Sequence, residues 1–343
     1  MRKLIWFFDR LLLIVSAIGF GFIILYGDIA QGNSPNPQLV NRSLGTGISS
    51  IITDLVVQVT KKNIESHIIA LEGQRYTKKE KTNAANYIRT TLENFGYDVR
   101  STAGKSKNLI ADLKGSITPE RIFILAAHYD TVKNTPGADD NASSVAGMLE
   151  IARLLTKTSL ASTVRFIAFD DEEKGLLGSS QYAKSLNNNG VKVIGMISLE
   201  MIAYTCKNCQ TPFSDIPEKQ CLDVEPENVK VGNFIGIVAN SDSADMITIF
   251  KNTAASLVSS LGIVSALVGG NGECFPGTRR SDHASFWDLG YPALMITDTA
   301  NFRNPNYHKS SDTLDTLDLD FTTKVVKATL ATIVTTAFRL TYF

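Results

Sequence analysis

Short apolar runs, spaced by helical patterns, constrain this chain more than any other feature. The runs at 108–113, 121–127, 163–169 and 193–199 are partly β-branched and apolar without alternation. Strands of that kind are buried on both faces, as in parallel sheets. Runs at 234–239, 263–268 and 292–297 have the same character. Between them lie amphipathic stretches, for example Val145, Met148, Leu149, Ala152 and Leu155 on one helical face. Further helical patterns cover 50–71 and 79–95, the second closed by Gly96, and a last one covers about 319–340. The alternation predicts an α/β fold, a three-layer αβα sandwich around a mostly parallel, mixed central sheet. A chain of 343 residues with 44% hydrophobic content can bury the core such a sandwich needs. One irregular segment, 203–232, is too long for an ordinary connection and reads as a lid or binding loop.

Composition narrows the function classes. Thirty-four basic residues balance 34 acidic ones, so the basic excess of a nucleic-acid binder is missing and no nucleic-acid partner is expected. From Leu4 to Tyr26 the chain is apolar apart from Asp9-Arg10, Ser16 and glycines. That length suits a membrane span if the charged pair sits near the interface. A cleaved signal peptide is the alternative, but Asp28-Ile29-Ala30 is a poor cleavage pattern. Arg2, Lys3 and Arg10 precede the cleanest apolar stretch. The expectation is a single-pass anchor with a cytoplasmic amino terminus and an exported bulk, or a secreted protein if the segment is cleaved. The predicted organisation is therefore an anchor at 1–32, a linker and first helix at 33–60, and a catalytic domain at 61–343. Residues 27–47, rich in Gly, Asn, Ser and Pro, read as linker. Cys206, Cys209 and Cys221 crowd one segment, with Cys274 further on. Structural disulfides fit an exported domain best, with redox-pair and zinc-knuckle readings of Cys206-Lys207-Asn208-Cys209 as alternatives.

In open α/β sheets ligands bind beyond the carboxyl ends of the strands. The run 121–127 leads into His128-Tyr129-Asp130, and 163–169 into Asp170-Asp171-Glu172-Glu173. The run 193–199 ends at Glu200, and 292–297 is followed by Asp298 and a loop reaching His308. Asp139 and Asp140 precede the helix that carries Val145. Any one of these has an ordinary explanation: a satisfied histidine, a helix N-cap, a solvated charge run. Together they bring imidazoles and carboxylates to one sheet edge, a donor set for zinc or a similar divalent ion. Without cations such a cluster of carboxylates repels itself.

These segments resemble the co-catalytic dizinc aminopeptidases, relatives of which include bacterial leucine aminopeptidases, glutamate carboxypeptidase and glutaminyl cyclase. The matching stretches are HYDTV (128–132), PGADDNASSVAGMLE (136–150), FDDEEKGLLGS (169–179), SLEM (198–201) and the segment 280–318. The resemblance implies a zinc-peptidase fold and two zinc ions, one held by His128, Asp140 and Glu200, the other by Asp140, Glu173 and His308. Asp140 would bridge them. Glu172 would be the general base acting on a metal-bridged water, and Asp130 would orient His128. In many of the best-known relatives the position of Glu200 is aspartate. The implied activity is a metallopeptidase: an aminopeptidase that hydrolyses the first peptide bond of substrates with a free amino terminus. The alternatives are a single-zinc glutaminyl cyclase and a peptidase-like ectodomain without activity. The cyclases carry tryptophan where Tyr307 stands, and a dead ectodomain loses ligands, whereas every ligand position is filled here. Ser281-Asp282-His283 is not a serine triad, because adjacent residues cannot adopt that geometry. Asp282 or His283 is expected to support the site from behind the ligands.

Overall fold

The computed structural model describes residues 37–207, 222–224 and 231–338. In chain order the strands are β1 Val99–Ser101, β2 Leu109–Leu113, β3 Thr118–His128, β4 Ser162–Phe169, β5 Lys192–Glu200, β6 Leu222–Val224, β7 Phe234–Asn240, β8 Gly262–Val268 and β9 Ala293–Thr297. The α-helices are α1 Pro37–Val56, α2 Lys61–Leu71, α3 Lys78–Asn94, α4 Ser144–Leu155, α5 Leu177–Asn188, α6 Ala244–Leu257, α7 His283–Trp287 and α8 Leu319–Phe338. Nearly all of α1 falls in a first unit that ends at Leu55, and residues 56–343 form a second.

The strands make one mixed sheet in the order β1-β2-β4-β3-β5-β9-β7-β8-β6. Its centre, β4-β3-β5-β9, is parallel throughout. The flanking pairs β1–β2, β2–β4, β7–β9 and β6–β8 are antiparallel. Parallel neighbours need covered faces, and β3 is buried at every residue from Arg121 to His128. On one face α4 and α8 lie against β3 and β4, and α8 also packs on α2, α4 and α6. On the other, α5 and α7 pack together, and Tyr182, Phe286 and Trp287 join Ile124, Ala126 and Phe169 in one buried cluster. This is the αβα arrangement that the strand pattern predicts.

Register decides where the site lies. His128 is level with Phe169, Ala126 with Ser198, and Glu200 with Thr297. The carboxyl ends of β3, β4, β5 and β9 therefore come out side by side, and the loops that follow them share one edge.

Two expectations need correction. The pattern at 50–71 is not one helix: α1 ends at Val56 and α2 starts at Lys61. Thr60 adopts an extended conformation, accepts a hydrogen bond from the Asn63 amide, and so caps α2. The apolar periodicity runs through the break, which hides it from pattern reading. The helix α1 also begins at Pro37, inside the stretch read as linker, with proline at the first helical position where its missing N–H costs nothing. Helix α3 carries a full capping box, with Thr77 and Glu80 each bonding the other's backbone.

Among the described residues no helix is long and apolar enough to cross a membrane. The Leu4–Tyr26 stretch lies outside them, as does most of the 203–232 segment. Cys206 is disulfide-bonded, in keeping with the structural-disulfide reading. Cys209 and Cys221 lie outside the described residues.

Candidate metal centre

His128 is the last residue of β3 and is fully buried. Its Nε2 lies 3.3 Å from Asp140 Oδ1 and 3.4 Å from Glu200 Oε2. The other Asp140 oxygen, Oδ2, lies 3.2 Å from His308 Nε2, which is also 3.2 Å from Glu173 Oε2. Asp140 thus stands between two imidazoles, with one further carboxylate beyond each. Two donor groups result, His128 with Asp140 and Glu200, and Asp140 with Glu173 and His308; within each, the ligand atoms lie within 4.8 Å of one another. These are the two trios that the resemblance implies.

The donor atoms fit divalent cations. His128 Nε2, His308 Nε2, Asp140 Oδ1 and Glu173 Oε1 are buried and accept or donate no hydrogen bond. Buried polar atoms are seldom left so, and four of them converging on one spot mark a place for an ion. The charges agree. Burial alone would push the His308 imidazole down, but Asp140 and Glu173 overcome it and raise it to about 9. Asp140 is driven up by burial, yet His128 and His308 hold it well below the usual carboxylate range. The carboxylates draw positive charge onto whatever faces them, and nitrogen and carboxylate oxygen donors suit zinc.

The side chains of these two trios are held from behind. Asp130 accepts the Glu172 and Glu173 amides on its two oxygens at 3.0 and 3.3 Å, while His128 Nδ1 lies 3.5 Å from its Oδ1. The hydrogen bond of His128 Nδ1 goes to the Asp130 backbone carbonyl at 3.2 Å, while the Asp130 carboxylate fixes the segment that carries two glutamates. Ser281 Oγ donates to Glu200 Oε2 at 2.9 Å. The Tyr307 ring stacks on His308, with centroids 3.7 Å apart and planes 19° apart. Glu172 makes no such close pairing. Burial raises its carboxyl well above the usual range, His128 works against that shift, and Glu200, Asp282 and Glu173 add to it. Of the adjacent pair in the Ser-Asp-His segment, Asp282 is the one that feels this site: burial raises it to about 7 against the pull of His128. His283 looks elsewhere, with Nε2 2.8 Å from the Thr278 carbonyl and its ring edge-on to Trp287.

Three supports escaped sequence reasoning. Asp312 accepts the Asp139 and Asp140 amides at 2.9 and 3.1 Å and so fixes the backbone of the shared ligand. Asn141 links that loop to the end of β5, donating to the Leu199 carbonyl and accepting the Met201 amide. Arg75, just past α2, is buried, and its guanidinium donates to the carbonyls of Leu71, Gly73, Tyr129, Pro136 and Gly137. It clamps the loop between His128 and Asp140. Gly137 has φ 66°, and a Cβ there would lie 2.4 Å from the Asp140 carbonyl, 2.5 Å from Thr131 Cγ2 and 2.6 Å from Arg75 Nη2, so only glycine fits. The only sequence signal for Arg75 is a lone cation in a short connection, which by itself means nothing.

A family model described as Peptidase family M28 matches residues 108–333, and the chain belongs to that family. It is 35% identical over 263 residues to the uncharacterized protein YfbL of Escherichia coli, covering 71% of this chain and 76% of that one. A probable zinc metalloprotease of Leptosphaeria maculans is 25% identical over 333 residues, covering 82% and 75%. Among solved structures, the LapA aminopeptidase of Legionella pneumophila superposes with a TM-score of 0.67 at 20% identity, covering 85% of this chain and 76% of that one. The glutaminyl cyclase of Porphyromonas gingivalis gives 0.61 at 20% identity, covering 80% and 98%. These likenesses establish the fold, and the family model places the chain among the M28 peptidases.

Two measurements test the supports. Arg75→Met leaves several buried carbonyls without a donor and should cost at least about 3 kcal/mol in chemical denaturation. Zinc affinity should fall with it, and Arg75→Lys should recover little, since one ammonium cannot span the same acceptors. His283 is held neutral by burial, its pKa lowered to about 3 from 6.5. Below pH 6.5 the unfolded chain takes up a proton that the folded chain refuses, so stability is lost as pH falls. The wild-type profile should drop below that of His283→Gln by up to about 1.4 kcal/mol per pH unit. Parallel profiles would show that His283 is not buried neutral.

Proposed function

We propose that this chain is a zinc-dependent aminopeptidase. The observation that carries the reading is Asp140 standing between His128 and His308, with an apolar cavity opening beside Glu200 and Tyr307. In this reading His128, Asp140 and Glu200 hold one zinc ion, and Asp140, Glu173 and His308 a second. Bound there, the ions supply Lewis acidity that activates water and the scissile carbonyl. Glu172 is the general base. Its carboxylate takes a proton from the attacking water and returns it to the leaving amine, so the C–N bond breaks and one water is consumed. Asp130 holds the Glu172 amide and keeps that carboxylate from drifting. Phe234, Ile237, Val264 and Met295 line the cavity, which suits an apolar first side chain, and the acidic cluster attracts the substrate's free ammonium group.

Glu172→Gln should retain zinc and fold while kcat falls by roughly 10²–10⁴ with KM little changed. Glu173→Gln should instead lower zinc content, because a neutral amide replaces an anionic ligand. A Glu172→Gln enzyme turning over at the wild-type rate would refute the mechanism. A panel of aminoacyl and amino-terminal glutaminyl substrates separates hydrolysis from the cyclisation expected of a glutaminyl cyclase. The absence of both in zinc-loaded protein would favour an inactive ectodomain.

We also propose that the segment at 4–26 anchors the protein, with its amino terminus cytoplasmic and the catalytic domain exported. The support is the apolar stretch with Arg2, Lys3 and Arg10 ahead of its cleanest part. The full-length protein should sediment with membranes, and removal of residues 1–32 should leave a soluble, active enzyme. Intact protein in the soluble fraction, first residues still attached, would overturn the anchor.

A further inference from the structure

The cavity beside the candidate metal centre has a volume of about 80 Å³ and opens to solvent. Among the described residues its wall is apolar or neutral apart from Glu200 and one cation, Arg280. Glu200 is already engaged with His128 and Ser281. Arg280 is exposed, yet it is held in place: Nη1 donates to Asn301 Oδ1 at 2.9 Å and Nη2 to the Tyr307 hydroxyl at 2.8 Å. Its Cζ also lies 5.5 Å from the Tyr307 ring centroid. Both acceptors are neutral, so they orient the guanidinium without cancelling its charge. Two N–H groups are used of the five that an arginine carries.

Other arginines here are differently placed. Arg165 pairs with Asp112, Arg153 with Glu150 and Arg279 with Asp288. Arg280, the next residue after Arg279, has neutral partners and faces the cavity instead. Through Tyr307, which stacks on His308, its guanidinium stands one side chain away from the candidate ligands. A guanidinium fork matches a carboxylate by two parallel hydrogen bonds, the strongest pairing open to it.

Resting on the aminopeptidase reading of this site, we propose that Arg280 is a specificity-determining residue that binds a substrate carboxylate close to the scissile bond. The carboxylate is either the free terminus of a dipeptide or an acidic side chain flanking the cleaved bond.

The test uses zinc-loaded full-length enzyme with Leu-Gly, Leu-Gly-amide, Leu-Asp-amide and Glu-Gly-amide. For the wild type, kcat/KM on at least one carboxylate-bearing substrate should exceed that on Leu-Gly-amide by about tenfold, as a charge-assisted bond at an exposed site allows. Which substrate gains tells the free terminus from the acidic side chain. In Arg280→Met that ratio should fall to near one, with Arg280→Lys in between. Equal rates on all four substrates, or a preference that survives in Arg280→Met, would overturn the proposal. If the wild type cleaves none of them, the aminopeptidase reading fails, and calorimetric binding of the same peptides decides the role of Arg280 separately. A carboxylate preference in binding that vanishes in Arg280→Met would support it, and equal binding would overturn it.

Discussion

The Asp140 carboxylate, with an imidazole opposite each oxygen, is the interaction around which the rest of this structure is arranged. A carboxylate can serve two cations only if both its oxygens are presented and its backbone cannot move. The amides of Asp139 and Asp140 are taken by Asp312, and the next residue, Asn141, is bonded to both sides of the end of β5. Asp139 points the other way, accepting from Ala203, Ser143 and Asn304. Two adjacent aspartates therefore do different work: Asp140 faces the metal centre while Asp139 fastens the loop to its neighbours.

Crowding acidic groups in a buried place needs compensation, and it comes in layers. Lys81 bonds both Asp170 and Asp171 at the end of β4, just before the two site glutamates. Arg75 lies behind the ligand loop, where burial lowers its guanidinium to about 10 although Asp140, Asp312, Asp130 and Glu173 pull it upward. Asp171, Met201 and His308 adopt left-handed backbone conformations with φ of 57°, 49° and 58°. Side chains of that kind rarely do so, at a cost of order 1–3 kcal/mol each. All three positions are candidate site residues or their immediate neighbours.

Chemistry and selection occupy adjoining parts of the same edge. The ligands come from the parallel strands at the sheet centre, whereas the cavity is lined by β7, β8, β9 and the connections 275–280 and 299–307. Tyr307 belongs to both, lining the cavity while stacking on His308. The Asp140 loop is fixed from another side, by Arg75 and Asp312.

The sequence by itself determined the sandwich, because runs such as 121–127 and 193–199 are too apolar to be anything but strands covered on both sides. It also placed the candidate metal-binding side chains at one sheet edge, and the family resemblance sorted them into two trios. His128, Glu173 and Glu200 sit at or just past strand ends, and residue type and position there already specify the chemistry. The break at Thr60 was illegible because apolar spacing continues through it, and only the cap and the tertiary bond from its amide to Glu150 show it. Arg75 and Asp312 were illegible for a related reason. Each acts through partners far away in the chain, so its role depends on which loops meet it. Only the tertiary structure decides that a cation at 75 is saturated by carbonyls and clamps a loop, while one at 280 keeps its charge beside the cavity. Residue type sets what a side chain can bond, and the packing of distant segments sets what is left for it to bond.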